Sequence, residues 1–209
     1  MRLRSALMGF GVCLAATPAF ASTWTYDADH SNVGFSVKHA MISNVHGTFR
    51  AATGTLEMDD KDVTKSTLHM EIRVDSIDTR NEKRDGHLKS PDFFDIGKYP
   101  TMIFKSTKVE KARDHLKVTG DLTLHGVTKP VTLHVEGPSK AVKDPYGMTR
   151  AGASATAKLS RKDFGLKWSQ ALETGGLLVA DDINIQIDAE FVKKSEGNPQ
   201  APTAADENK

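Results

Sequence analysis

From Val33 onward, most of the chain alternates apolar and polar residues with a period of two. Val33, Phe35 and Val37 point one way while Gly34, Ser36 and Lys38 point the other; Leu68, Met70, Ile72 and Val74 alternate in the same way with His69, Glu71 and Arg73. The same rhythm recurs through Leu116–Leu124, Val131–Val135 and Ile183–Phe191. A period of two is the signature of strands with one face buried. It predicts strands near 32–38, 45–58, 67–75, 100–109, 114–125, 130–137, 148–160 and 181–192. Turn-forming residues fall between them, at Asp59-Asp60-Lys61-Asp62, His125-Gly126 and Asp144-Pro145-Tyr146-Gly147, which predicts up-and-down antiparallel connection. About eight such strands close into a barrel wide enough to hold one ligand. The fold class is therefore all-β, an antiparallel eight-stranded barrel.

The interruption lies between Ser76 and Asp95, after the third predicted strand. Thr79 followed by Glu82 reads as a capping box opening a short helix. Helical spacing from Arg80 puts Arg84 and His87 on one face with Leu88 beside them. Pro91 then allows a second helical turn, and Phe93 and Phe94 bring two large rings near the cationic stripe. Such a segment suits the polar mouth of an apolar pocket. The plainer reading is a solvated helix face neutralised by Asp78, Glu82 and Asp85.

The run Arg84-Asp-Gly-His-Leu-Lys-Ser-Pro-Asp-Phe-Phe-Asp95, with Tyr99-Pro100 and Ile103-Phe-Lys-Ser106 after it, closely resembles the YceI-like family of bacterial extracytoplasmic lipid-binding proteins. The resemblance extends from Asp29-His30-Ser31 through Gly120–Val131 to Arg161-Lys-Asp-Phe-Gly165 and ends near Glu190. It implies a lipocalin-like barrel holding a long polyisoprenoid or similar amphiphile, with isoprenoid quinones and polyprenyl phosphates as the leading classes. The candidate ligand-binding residues are Phe35, Val37, His39, Phe49, Ile72, Arg80, Arg84, His87, Phe93, Phe94, Phe104, Leu122 and Leu133. One position departs from the family pattern. Ala153 stands where members often carry a bulky aromatic, and with Ala151, Ala155 and Ala157 it makes a thin wall that leaves room inside.

The ends predict export. Arg2 and Arg4, the apolar stretch Ala6–Ala16 and Ala19-Phe20-Ala21 form a secretory signal peptide over residues 1–21, cleaved after Ala21. The expected location is the periplasm. Cys13, the only cysteine, is flanked by Val12 and Phe10 and sits too deep in the apolar run for an acylation site, so it leaves with that segment. The barrel domain then spans 22–192, and 193–209, with alanines as its only apolar residues, reads as a disordered tail. Loss of Arg2 and Arg4 leaves 26 basic residues against 27 acidic ones, a net charge near −1. That balance gives no attraction to nucleic acid. A transient membrane or membrane-protein partner is compatible with it.

Candidate chemistry is sparse. The eight histidines include no H-x-x-x-H or H-E-x-x-H pair, so no metal or other cofactor is expected, although strand spacing could gather His30, His39 and His46 at one rim. No G-x-S-x-G elbow is present, and no catalytic residue is assigned. Two alternatives to a carrier stay open: an enzyme using His39 or His87 on a lipid head group, and a fully packed barrel acting in stress or protein interaction.

Overall fold

The computed structural model describes residues 21–173 and 175–194; the predicted signal segment up to Phe20 and the tail from Ser195 lie outside them. The strands are β1 (Ala21–His39), β2 (Ser43–Phe49), β3 (Ala52–Asp59), β4 (Thr67–Arg73), β5 (Ile77–Asp78), β6 (Thr101–Lys111), β7 (Leu116–Leu124), β8 (Val127–Glu136), β9 (Val142–Lys143), β10 (Thr149–Ser160) and β11 (Val179–Lys193). Helix α1 (Glu82–Lys89) follows β5. All ladders are antiparallel, in the order β11-β10-β8-β7-β6-β4-β3-β1, and β1 pairs back to β11. Eight strands thus form the expected closed barrel. β2 lies along the upper half of β1 and carries β5, while β9 is a short addition to β10.

Two features differ from the period-two reading. β1 begins at Ala21, well before Val33, because its polar centre is a bulge: Asp27 pairs with Glu190 and Asn32 with Asp188, leaving the residues between outside the register. The predicted strand 45–58 also breaks at Arg50–Ala51. Its halves pair with different parts of β1, Val33–His39 with β2 and Ala21–Thr25 with β3.

The upper end of the barrel carries the β1–β2 turn, α1 with the turns after it, and the β10–β11 connection. The lower end is filled by Trp24, 2% exposed, and by Tyr26 edge-on to Phe191 at 5.8 Å. The N-cap of α1 is Asn81, whose side chain accepts from the Arg84 N–H at 3.0 Å. The capping box at Thr79 and Glu82 is therefore corrected: Glu82 is already the first helical residue and cannot reach back as the third. Pro91 does not start another helical turn either. Phe94 N–H donates to Leu88 carbonyl at 3.0 Å and Asp95 N–H to Ser90 carbonyl at 2.9 Å, which folds 91–95 into turns under the helix.

Candidate functional site

Inward-facing residues of every barrel strand enclose a cavity of about 300 Å³ running along the barrel axis. An apolar cavity of about 150 Å³ already stays dry and binds benzene, so this one has room for an extended chain. Its wall is apolar almost throughout, with Phe35, Phe49, Ile72, Phe104, Val131, Leu133, Ile185 and Ile187 among the lining residues. Ala153, Ala155 and Ala157 line it as the thin wall. Val131, Val135, Ile183, Ile185 and Ile187 are only half-buried although they face inward. In a packed interior these positions would interdigitate without voids; here they border open space.

Among the candidate residues, Phe35, Val37, Phe49, Ile72, Phe93, Phe94, Phe104, Leu122 and Leu133 all line this lumen. Phe93 and Phe94 belong to the cover at the upper end, where Phe94 stacks edge-on against Phe49 at 6.0 Å and Phe49 meets Phe35 at 5.6 Å. His39, Arg80, Arg84 and His87 are not among the lining residues. His39 lies at the end of β1, opposite Ser43 and Val179. Arg80 is exposed and has φ 61°, outside the helix, so it does not share a helical face with Arg84. His87 bonds to Asp92 at 2.9 Å and stands edge-on to Phe93 and Trp168, each at 5.1 Å. It joins the helical segment to the β10–β11 connection rather than facing the lumen.

Arg84 is turned to structure as well. Its Nε donates to Thr79 Oγ1 and its Nη2 to the Thr79 carbonyl, both at 2.7 Å. Asp85 accepts from the Thr79 N–H at 3.0 Å and from its hydroxyl at 2.5 Å. Adjacent Arg84 and Asp85 thus clamp a threonine that is 4% exposed. The residues of the cationic stripe expected from helical spacing are not among those that line the lumen.

The charge that does border the lumen is Arg161, 3% exposed. Its Nε donates to Ala180 carbonyl, Nη1 to the carbonyls of Leu166 and Trp168, and Nη2 to Val179 carbonyl and Asp181 carboxylate, at 2.6–3.3 Å. All five guanidinium N–H groups are occupied. Burial lowers its pKa from the ordinary value, and the Asp181 charge opposes that. Sequence reading missed this role because an arginine after a strand looks like any surface cation; its signal was the motif Arg161–Gly165, in which Gly165 adopts φ 80° to turn the chain.

His30, His39 and His46 do not gather. Instead Asp27, His30 and Glu190 bring possible ligand atoms within 4.8 Å of one another at the lower end. Arg150 occupies that cluster: Nη1 bonds to Asp27 and Glu190, and Nε to Asp144 at 2.7 Å. A cation placed there would meet the guanidinium charge. The arrangement fastens the loop holding Asp144 to β1 and β11.

A YceI-like domain matches residues 24–191. Protein YceI of Escherichia coli O157:H7 is 38% identical over 170 residues, covering 79% of this chain and 88% of that protein. Among solved structures, the YCEI protein of Campylobacter jejuni is 35% identical with a TM-score of 0.65, covering 76% of this chain and 90% of its own. A polyisoprenoid binding domain from Saccharophagus degradans shares the fold at 14% identity and a TM-score of 0.60, covering 82% of this chain and 98% of that one.

Proposed function

Because this chain belongs to the YceI-like family, we propose that it is an exported carrier of a long isoprenoid chain, held in the barrel lumen. The observation that carries this reading is the apolar cavity with its half-buried inward side chains. Each methylene transferred there contributes about 0.8 kcal/mol, so a multi-isoprene chain binds strongly without specific hydrogen bonds. The polyisoprenoid binding domain of Saccharophagus degradans, with the same fold, supports that ligand class.

The proposed head group is neutral, as in an isoprenoid quinone, in preference to a phosphate. Arg161 has no N–H left to give, and a phosphate carried into the lumen would lose its hydration without a charged partner. Binding of a quinone and a polyprenyl phosphate of equal chain length, measured side by side, tests this: quinone binding at least as tight supports it, and clear preference for the phosphate contradicts it. For an enzyme acting on lipid heads, the bases considered were His39 and His87, and neither lines the lumen; carriage is therefore the reading we adopt.

A further inference from the structure

The barrel wall is not evenly sewn. The ladder between β8 and β10 comprises Ser154↔Glu136, Ala155↔Val135 and Thr156↔His134. Above it, β10 continues to Ser160 paired with β11, and β8 runs from Val127 to Leu133 paired with β7, but the two do not pair with each other. Extending the register would set Ala157 against Leu133, Lys158 against Thr132 and Leu159 against Val131. Pro130, which has no N–H to donate, sits in this unpaired stretch, the position prolines take in strands with a free edge. The opening has a top as well as a bottom: His125 Nδ1 lies 3.2 Å from the Phe164 carbonyl and Lys129 Nζ 3.4 Å from Asp163. The result is a window in the wall rather than a split barrel.

Its position relative to the lumen gives it meaning. Val131 and Leu133 on one edge, and Ala157 and Leu159 on the other, all line the cavity. Both ends of the barrel, by contrast, are covered by large buried side chains, Phe93, Phe164 and Leu166 above and Trp24 with Phe191 below. A long chain moving through either end would displace packed rings, whereas no ladder of backbone hydrogen bonds need be broken at the window. Outside it, the rim is polar: His134, Thr156 and Lys158 face a groove that continues over Asn184, Gln186 and Ser36.

We propose that the parted seam between β8 and β10 is a side portal through which the apolar chain of the ligand slides into and out of the lumen, its polar end remaining at the rim of His134, Thr156 and Lys158. This rests on the reading of the barrel as a carrier. An extended peptide pairing with the free edge of β8 is the competing occupant. The apolar residues on both edges, continuous with the lumen, favour the lipid chain.

Cross-linking tests the portal in the full chain carrying Cys13→Ser. Thr132→Cys with Lys158→Cys locks the seam, since a disulfide needs Cα atoms closer than about 7 Å, the approach of paired strands; a short bis-maleimide serves if the oxidised bridge does not close. Glu136→Cys with Ser154→Cys, where the ladder already exists and neither residue lines the lumen or the rim groove, is the control. His87→Cys with Trp168→Cys locks the cover at the upper end. Uptake of menaquinone-4 is followed by quenching of tryptophan fluorescence, from Trp24 alone in the cover-locked variant. The seam lock should slow uptake by more than about tenfold, reversibly on reduction or absent without the linker, while the other two pairs leave the rate within about twofold. An unchanged rate in the locked seam, or slowing by the cover lock alone, overturns the portal and leaves the carrier reading standing. If the parent chain itself binds no menaquinone-4, the carrier reading falls and the portal with it.

Discussion

Arg84 Nε donates to Thr79 Oγ1 at 2.7 Å, and its Nη2 donates to the Thr79 carbonyl at the same distance. The partner is buried, so the contact closes the strand-to-helix junction below α1. Hydrogen bonds to charged groups contribute about 1.5–3 kcal/mol each when a buried partner would be left unsatisfied. Arg84→Ala is therefore expected to lower unfolding stability by about 2–3 kcal/mol in urea titrations, where Thr79 loses both contacts. At temperatures where the variant stays folded, affinities for a quinone and a polyprenyl phosphate should change alike. A selective loss of phosphate binding would restore the head-group role that helical spacing suggested for this residue.

The lower lumen is bounded by Ala153 and Pro138, and Gly137 approaches so closely that a Cβ on it would lie 3.0 Å from Ala153 Cβ. Ala153→Phe fills that end. Overpacking costs about 1–3 kcal/mol of stability, and the ring should shorten the longest chain bound while sparing shorter ones. Binding measured across a series of isoprenoid chain lengths checks it; an equal loss at every length would mean that the chain does not reach this wall.

Acid should loosen the lower end of the barrel. Burial disfavours ionised Asp27, but hydrogen bonds from Arg150 and His30 outweigh it and hold its pKa below the ordinary 3.8. The Arg150 hydrogen bond lowers Asp144 in the same direction. Folded pKa values below the unfolded ones mean stability that is fully present above about pH 5 and lost as pH falls from the ordinary carboxylate range through the lowered folded values. Arg150→Met removes the cause, so its stability deficit should be constant from pH 5 to 7 and shrink below pH 4. A deficit that stays level down to pH 3 contradicts this coupling.

Export is expected to leave a chain beginning at Ser22, from the signal features before it. The intact mass of protein recovered from a periplasmic fraction decides it. A product that keeps Cys13 with a lipid attached would replace the soluble carrier with an anchored one.

The wall of the barrel was legible in the sequence because one-sided burial forces strict alternation, and Phe35, Phe104, Leu122 and Leu133 all stand where that alternation puts them. Where polar residues served structure, the same logic failed. Asp27 to Ser31 hid half of β1, since its bulge has no period. Arg80, Arg84 and His87 looked like a stripe because spacing shows which side chains share a helix face but not which backbone groups they satisfy. Asn81 displaced Thr79 as the cap, an asparagine being as good an acceptor there. Where the pairing between β8 and β10 stops depends on how the two strands splay in the closed barrel, which alternation does not record, and only Pro130 marked it locally.

The carrier account is tested most directly by native mass spectrometry of the full chain, produced in a bacterium and purified without detergent, followed by organic extraction and identification of the released lipid. The account predicts a stoichiometric adduct that yields an intact, neutral-headed isoprenoid, and an Ala153→Phe protein that retains only shorter homologues. Protein carrying no lipid, and taking none up when offered isoprenoid quinones, would contradict it.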